Sequence, residues 1–306
     1  MLRSNQLRSA WLILTNRCNL RCNYCWVPTF GELIPPASMS FETACQSIEF
    51  LKQNSLEGIS ITLFGGEPLL EFETIKQLMN CYPYMNWSLY TNTLLMDREM
   101  IEFFYHRRDF IVLKLSIDGR INTQLKNRGR MYDELLVKEI FQRFPTSEAR
   151  ITINNPEGVY EDVLHIQNLG ARHISLKVTN FLNLDEEFYT RARVELDKIS
   201  DDQMLKDIVL ISDGTVLECC NIVSDYIAIA PNGDIYPCDI FYWLQENCIG
   251  NISTGFNSAA VDRICSSINR VKEHPIGSCI AEQLYFEDVA INNKKSLKGM
   301  AINCGQ

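Results

Sequence analysis

Residues 15–26 read Thr-Asn-Arg-Cys-Asn-Leu-Arg-Cys-Asn-Tyr-Cys-Trp, and they place three cysteines on one short loop at C-x3-C-x2-C spacing. Cys18, Cys22 and Cys25 can each bind one iron of a cubane cluster, because thiolates are the soft ligands that iron–sulfur clusters select. The fourth iron then lacks a protein ligand and can bind a small molecule. A structural zinc site would need four closed ligands, and no His lies near this loop. Accidental core cysteines are the alternative.

The segments around the loop predict how it is held. The apolar run Trp11–Leu14 directly precedes it and is typical of a buried strand. A second predicted strand, Ile59–Phe64, ends in Gly65-Gly66-Glu67-Pro68. Glycines at a strand end let a backbone approach a ligand closely, whereas an ordinary glycine-rich turn is the alternative. The position of this turn, one strand–helix unit after the cysteine loop, favours a binding role.

The three-cysteine loop after the first strand resembles the signature of the radical S-adenosylmethionine (SAM) superfamily. The resemblance implies a [4Fe-4S] cluster on Cys18, Cys22 and Cys25 whose open iron chelates the amino and carboxylate groups of SAM. It also implies one-electron reduction of SAM to a 5′-deoxyadenosyl radical. The Gly65–Pro68 turn would then contact the amino group of SAM.

Strand–helix alternation predicts an α/β fold, a partial (β/α)6 TIM-like barrel with a parallel sheet and right-handed crossovers. The predicted strands are Trp11–Leu14, Ile59–Phe64, Trp87–Thr91, Ile111–Ile117, Ala149–Ile153 and His173–Val178. The predicted helices among them are Phe41–Gln53, Glu71–Asn80, Asp97–His106, Tyr132–Phe144 and Val159–Leu169. The basic run from Arg120 to Arg130 predicts a solvated loop.

Polar residues at strand ends are further candidates for binding SAM. These candidates are Thr91, Asn92, Ser116, Asp118 and Arg150. By resemblance to sulfatase-maturating enzymes, Ser116 and Arg150 would bind the SAM carboxylate, and Thr91 and Asn92 would lie near its sugar. A cation facing a carboxylate gives a short, strong hydrogen bond, which supports the role of Arg150. An ordinary strand-end turn residue is the alternative for each of them.

A second group of cysteines fills the end of the chain. Its members are Cys219, Cys220, Cys238, Cys248, Cys265, Cys279 and Cys304. The runs Tyr226–Ala230 and Asp234–Tyr236 flank Pro-Asn-Gly and predict a β-hairpin. The Cys-x12-Gly-x4-Cys arrangement and the tetrapeptide Ile249–Ile252 resemble the SPASM/Twitch extension of radical SAM enzymes. We therefore expect a core domain at residues 1–184 and a smaller α+β auxiliary-cluster domain at residues 185–306.

The full SPASM continuation, C-x2-C-x5-C-x3-C, is missing from this chain. This departure favours one auxiliary iron–sulfur cluster, a [4Fe-4S], over two. Cys220 and Cys238 are the best ligand candidates, followed by Cys279. The fourth position is filled by Cys265, Cys304 or Cys219, or by no cysteine. Buried cysteines without a metal are the alternative.

Two thiols are then left over near the site. Cys248 and Cys219 are the candidates, and a free thiol can donate a hydrogen atom to a substrate radical, as an epimerisation requires. Burial as a small apolar side chain is the alternative for both.

Composition limits the other classes of function. The 306 residues are 46% hydrophobic and 22% charged with a net charge of −9, which argues against a general nucleic-acid or anionic-membrane binder. Neither a signal peptide nor a membrane-spanning stretch is visible, so a cytoplasmic enzyme is expected. Twelve cysteines in such a chain favour metal ligation over disulfides.

The resemblance implies maturation of a ribosomally synthesised peptide, by epimerisation or by a thioether or carbon–carbon crosslink. The alternative is epimerisation or dehydrogenation of a sugar or aminocyclitol. An iron–sulfur electron carrier is the non-enzymatic alternative, but it has no use for the Gly65–Pro68 turn or Arg150. Flavodoxin or ferredoxin is the expected electron donor. The chain shows no leader-binding module, so a separate leader-binding protein would be a partner.

Overall fold

One eleven-stranded sheet organises the computed structural model of the chain. The structure describes residues 7–25, 34–178, 186–212, 226–243 and 245–273. The strand order is β11-β10-β9-β8-β1-β2-β3-β4-β5-β6-β7. Strands β1 to β7 therefore follow one another in both sequence and space.

These seven strands are parallel and confirm the predicted α/β barrel-type fold. They are β1 (Leu7–Thr15), β2 (Ser55–Gly65), β3 (Asn86–Thr91), β4 (Ile111–Ser116), β5 (Glu148–Ile153), β6 (Ile174–Val178) and β7 (Val209–Ser212). The first six match the predicted strands, and β7 is an addition. Because right-handed crossovers join parallel strands in sequential order, the connecting helices lie on one face of the sheet.

Several helices begin at residues whose side chains cap them. The helices are α1 (Phe41–Asn54), α2 (Phe72–Cys81), α3 (Arg98–Tyr105), α4 (Ile121–Arg128), α5 (Glu134–Arg143), α6 (Val159–Asn168), α7 (Glu186–Asp201) and α8 (Ser258–Glu273). Ser40, Asp97 and Asp133 accept hydrogen bonds from first-turn N–H groups of α1, α3 and α5. None of the helices in the described ranges has the length and apolar character needed to cross a bilayer.

Helix α4 overturns one sequence expectation. The Arg120–Arg130 run was expected to be a solvated loop, but Ile121–Arg128 is helical. Its buried side chains are polar, namely Gln124, Asn127 and Arg128. A helix that buries polar side chains lacks the apolar periodicity from which amphipathic helices are predicted. Helix α4 was therefore not predicted from the sequence.

The two faces of the sheet differ in character. On β4, Leu113 and Leu115 are fully buried, while Lys114 and Ser116 are half-buried on the opposite face. This alternation follows from the two-residue repeat of a strand. The apolar face packs under the helices, and the other face carries the polar side chains.

The C-terminal strands extend the sheet beyond β1. Strand β8 (Tyr226–Ile229) pairs parallel with β1, and Ser9 lies opposite Tyr226. Strands β9 (Asp234–Tyr236), β10 (Gly250–Asn251) and β11 (Gly255–Phe256) follow with antiparallel pairing. The predicted hairpin is thus confirmed, whereas the proposed domain boundary near residue 184 stays a prediction.

Candidate functional site

The cysteine loop, residues 16–25, leaves β1 at the edge where the parallel strands end. The Asn16 carboxamide fixes its first turn. Its Nδ2 donates to the Pro35 carbonyl at 2.8 Å, and its Oδ1 accepts from the Ala37 N–H at 2.8 Å. In α/β folds, the carboxyl edge of the parallel strands is where ligands bind.

Gly65 and Gly66 bring the end of β2 against the backbone of this loop. The Gly66 N–H donates to the Thr15 carbonyl at 2.8 Å, and the Glu67 N–H donates to the Arg17 carbonyl at 2.9 Å. A Cβ would lie 2.0 Å from the Thr15 oxygen at Gly65 and 2.1 Å from the Arg17 oxygen at Gly66. The two glycines were expected to allow a close approach to their backbone, and in the structure the group that approaches is the backbone of the cysteine loop. Contact of the turn with SAM stays a prediction.

The Glu67 carboxylate ties the end of β2 to the end of β3. The side chain is 1% exposed and accepts from the Leu69 N–H at 3.1 Å, the Thr91 hydroxyl at 2.9 Å and the Asn92 N–H at 2.8 Å. Burial raises the pKa of Glu67 to about 7, and the hydrogen bonds from Asn92 and Leu69 oppose that rise. Pro68, also buried, begins the short 3-10 turn that follows. The Glu67 carboxylate therefore has a structural role, which is to join the end of β2 to the end of β3.

Asn92 connects this turn to the cysteine loop. Its Nδ2 donates to Asn19 Oδ1 at 2.7 Å and lies 4.0 Å from Cys18 Sγ. Its Oδ1 accepts from the Leu94 N–H at 3.1 Å. The structure thus brings Asn92 to the cysteine loop and Thr91 to Glu67, while the proximity of both residues to the SAM sugar stays a prediction.

Replacing Glu67 by glutamine is expected to lower the free energy of unfolding by roughly 1–3 kcal/mol, the usual cost of a buried group that loses its partner. The new amide NH2 would face the N–H of Asn92 or Leu69, and each of these is itself a donor. Denaturant unfolding of the cluster-free protein measures the change. Glu73→Gln on α2, where the carboxylate side chain is 76% exposed, is the matched control. Equal stability of the two variants would contradict this role.

The Asp118 carboxylate organises the opposite side of the cysteine loop. It accepts from Arg128 Nη2 at 2.9 Å, the Tyr24 hydroxyl at 2.6 Å and the Thr152 N–H at 3.2 Å. Burial raises the pKa of Tyr24. Burial lowers the pKa of Arg128, but Asp118, Tyr24 and Cys22 together raise it by more, so the pKa lies above its usual range. Asp118 therefore holds the loop, while its role in cofactor binding stays a prediction.

Carbonyl groups at the end of helix α4 also accept hydrogen bonds from the loop. The Asn23 N–H donates to the Asn127 carbonyl at 2.9 Å, and Asn23 Nδ2 donates to the Lys126 carbonyl at 3.2 Å. Asn154, just after β5, donates to Asn23 Oδ1 at 3.1 Å. The loop is therefore held from the β2 turn on one side and from α4 and β5 on the other.

The three thiols of the loop suit an iron–sulfur cluster in their chemistry. Cys18, Cys22 and Cys25 are half-buried, and the Leu20 N–H donates to Cys18 Sγ at 3.4 Å. Burial raises the pKa of Cys18, and it raises that of Cys22 to about 11. Within the described ranges, no three Cys, His, Asp or Glu side chains surround a single metal ion. A cubane differs, because each thiolate binds a different iron.

Ser116 and Arg150 lie side by side on the polar face of the sheet, as the register of β4 and β5 shows. Arg150 Nη1 is 3.4 Å from the Tyr90 hydroxyl and 4.0 Å from Glu148 Oε1, so its nearest ion pair is loose. The guanidinium is therefore suited to bind an anion. Its assignment to the SAM carboxylate, with Ser116, stays a prediction.

A charged network deeper on this face escaped the sequence analysis. Lys114 Nζ contacts Glu148 Oε2 at 2.9 Å, and the Ser175 hydroxyl donates to Glu148 Oε1 at 2.5 Å. Burial would lower the pKa of Lys114, but Tyr90 and Glu148 raise it. These residues occupy alternate positions along β4, β5 and β6, and this two-residue spacing is the sequence signal from which the network could have been predicted. The site predictions were limited to residues at strand ends and therefore did not include it.

The second cysteine group is described only in part. Cys238 is 4% exposed, Cys265 is half-buried on α8, and the Cys248 thiol donates to the Gly250 carbonyl at 3.1 Å. The other candidates lie outside the described residues, and these are Cys219, Cys220, Cys279 and Cys304. The auxiliary cluster and the thiol hydrogen donors therefore stay predictions.

One contact joins the C-terminal segment to the cysteine loop. Asn16 Nδ2 lies 3.3 Å from the Tyr242 hydroxyl. The Tyr242 ring also stacks edge-on against Tyr236 at 5.8 Å between ring centres. The first turn of the loop is therefore in contact with the segment that follows the hairpin.

Residues 12–144 match the model of the radical SAM superfamily. This segment contains the cysteine loop, the Gly65–Pro68 turn and the Asp118–Arg128 pair. It ends at the C-terminus of α5, so β5 and Arg150 lie beyond it.

Two curated relatives come from Bacillus subtilis. The chain is 32% identical over 172 residues to the sporulation killing factor maturation protein SkfB, covering 53% of this chain and 40% of that protein. It is 23% identical over 290 residues to the antilisterial bacteriocin subtilosin biosynthesis protein AlbA, covering 85% of this chain and 62% of that protein. The chain thus spans less than two thirds of either relative.

Among solved structures, the fold is similar to native anSMEcpe with bound AdoMet and the Cp18Cys peptide. The TM-score is 0.65 at 20% identity, over 83% of this chain and 80% of that chain. The similarity confirms the fold.

Proposed function

We propose that this chain is a radical SAM enzyme that matures a ribosomally synthesised peptide. The observation that carries the proposal is the cysteine loop itself. Three thiols at C-x3-C-x2-C spacing lie at the carboxyl edge of a parallel sheet, inside the segment that matches the radical SAM superfamily. Contacts from β2, α4 and β5 hold that loop in place.

In this proposal Cys18, Cys22 and Cys25 hold the [4Fe-4S] cluster. When bound, the cluster supplies one electron that cleaves SAM to methionine and a 5′-deoxyadenosyl radical, which abstracts hydrogen from a substrate carbon. Arg150, with its loose ion pair, would bind the SAM carboxylate beside Ser116. Asn92, next to Cys18, would orient the rest of SAM.

A peptide substrate is supported by the two relatives from Bacillus subtilis, whose names refer to maturation of a killing factor and biosynthesis of a bacteriocin. Hydrogen abstraction from a peptide carbon would lead to epimerisation, a thioether or a carbon–carbon crosslink. A one-electron donor of the flavodoxin or ferredoxin class would reduce the cluster. Cys220, Cys238 and Cys279 would hold the auxiliary cluster, with the fourth position filled by Cys265, Cys304 or Cys219 or by no cysteine.

Anaerobically reconstituted protein with dithionite is expected to convert SAM to 5′-deoxyadenosine and methionine, measured by liquid chromatography and mass spectrometry. Omission of dithionite should suppress both products, because cleavage requires the electron. Incubation with candidate precursor peptides deuterated at their α-carbons should move deuterium into 5′-deoxyadenosine. Deuterium transfer from a labelled sugar but from no peptide would favour the carbohydrate alternative. Intact SAM under all conditions would refute the enzymatic proposal.

A further inference from the structure

The Arg128 side chain occupies an enclosed position beside the cysteine loop. Its guanidinium pairs with Asp118 at 2.9 Å, and the side chains of the pair are 8% and 0% exposed. The guanidinium carbon lies 5.5 Å from the centre of the Tyr24 ring. Tyr24 stands between Cys22 and Cys25 in the sequence. The arginine is therefore adjacent to the part of the loop that carries its second and third cysteines.

The guanidinium also carries a buried N–H donor that the ion pair with Asp118 does not use. The Nε of Arg128 is buried, and it has no hydrogen-bond partner among the described residues. Asp118 is already occupied, because its two oxygens accept from Arg128 Nη2, Tyr24 and Thr152. A buried donor without an acceptor costs about 1–3 kcal/mol, so such positions call for an explanation. An acceptor that binds to the loop would remove this cost.

We propose that Arg128 is a positioning residue for the cluster of the cysteine loop, donating its Nε–H to a thiolate or sulfide sulfur on the Cys22 side. Its charge stabilises the reduced, more negative state of the cluster and so raises the reduction potential. Hydrogen bonds to sulfur, net charge and burial are the means by which a protein sets such potentials. This inference rests on the proposed function, because it requires a cluster in the loop.

The test compares reduction potentials of reconstituted proteins, measured by redox titration followed by electron paramagnetic resonance without SAM. Arg128→Lys keeps a charge that can pair with Asp118 but loses the Nε–H. The double variant Asp118→Asn/Arg128→Met removes both charges and leaves no unpaired buried carboxylate. Arg120→Met is the matched control, because Arg120 pairs with Asp162 at 2.8 Å at the start of the same helix.

The potential is expected to shift to more negative values in Arg128→Lys and in the double variant, because both lack the Nε–H, and to stay at the wild-type value in Arg120→Met. A wild-type potential in Arg128→Lys would overturn the inference, even if the double variant fails to fold or to bind iron. An equal shift in Arg120→Met would also overturn it, since any ion pair of this helix would then suffice. Wild-type protein that binds no cluster would instead refute the proposed function.

Discussion

Replacing Cys18, Cys22 and Cys25 together with alanine is expected to reduce 5′-deoxyadenosine formation to the level of a protein-free control. Alanine offers no ligand to iron, and the loop has no other Cys or His within residues 15–26. The contacts that hold the loop, such as the hydrogen bonds of the Asn16 side chain with Pro35 and Ala37, do not involve these thiols. The variant should therefore fold but should not form 5′-deoxyadenosine from SAM.

The matched control is the double variant Cys45→Ala/Cys81→Ala, which removes thiols from α1 and α2. It should form 5′-deoxyadenosine at the wild-type rate. Iron analysis of the triple variant also tests the C-terminal cysteines, because one auxiliary [4Fe-4S] cluster would leave about four irons per chain. Undiminished 5′-deoxyadenosine from the triple variant would refute the assignment of the cysteine loop.

Gly66→Ala is expected to release the cysteine loop from β2 and to lower cluster binding together with stability. The added Cβ would lie 2.1 Å from the Arg17 carbonyl oxygen and 3.1 Å from the Cys18 Cβ. Backbone atoms have to move to relieve this overlap, which typically costs about 1–3 kcal/mol or more. The movement would also break the hydrogen bond from the Gly66 N–H to Thr15. Denaturant unfolding and iron content after reconstitution measure the two effects.

Gly58→Ala separates this clash from backbone strain. Gly58 has a φ of +81°, but a Cβ there would meet nothing within 4 Å. Only the left-handed backbone penalty applies, at about 1–2 kcal/mol, and cluster binding should be unchanged. If Gly66→Ala binds iron as well as Gly58→Ala does, the close approach of the β2 turn is not what holds the loop.

The sequence predicted the strands and most helices because their signals are local. Apolar runs such as Trp11–Leu14 mark buried strands, and Asp97 caps the helix that follows it. Helix α4 lacks both signals, since Arg120 provides no side-chain cap and the buried residues are polar. Its role in holding Asn23 was therefore invisible before the structure.

The candidate site was predictable in its position but not in its internal contacts. The Cys18, Cys22 and Cys25 spacing is informative because it lies within one short loop. The hydrogen bonds of Asp118 to Tyr24 and of Glu67 to Asn92 join residues far apart in sequence. Sequence spacing carries no information about such pairs, because the fold alone brings them together.

The parallel pairing of β8 with β1 has a consequence for the order of folding. Strand β1 delivers the cysteine loop, and its second edge is completed by a strand from near the other end of the described chain. Contacts of such sequence separation form late, because loop-closure entropy opposes them. During synthesis, the free edge of β1 would remain exposed beside Trp11 and would be prone to pairing with other chains. Correct folding would thus compete with aggregation until β8 is made.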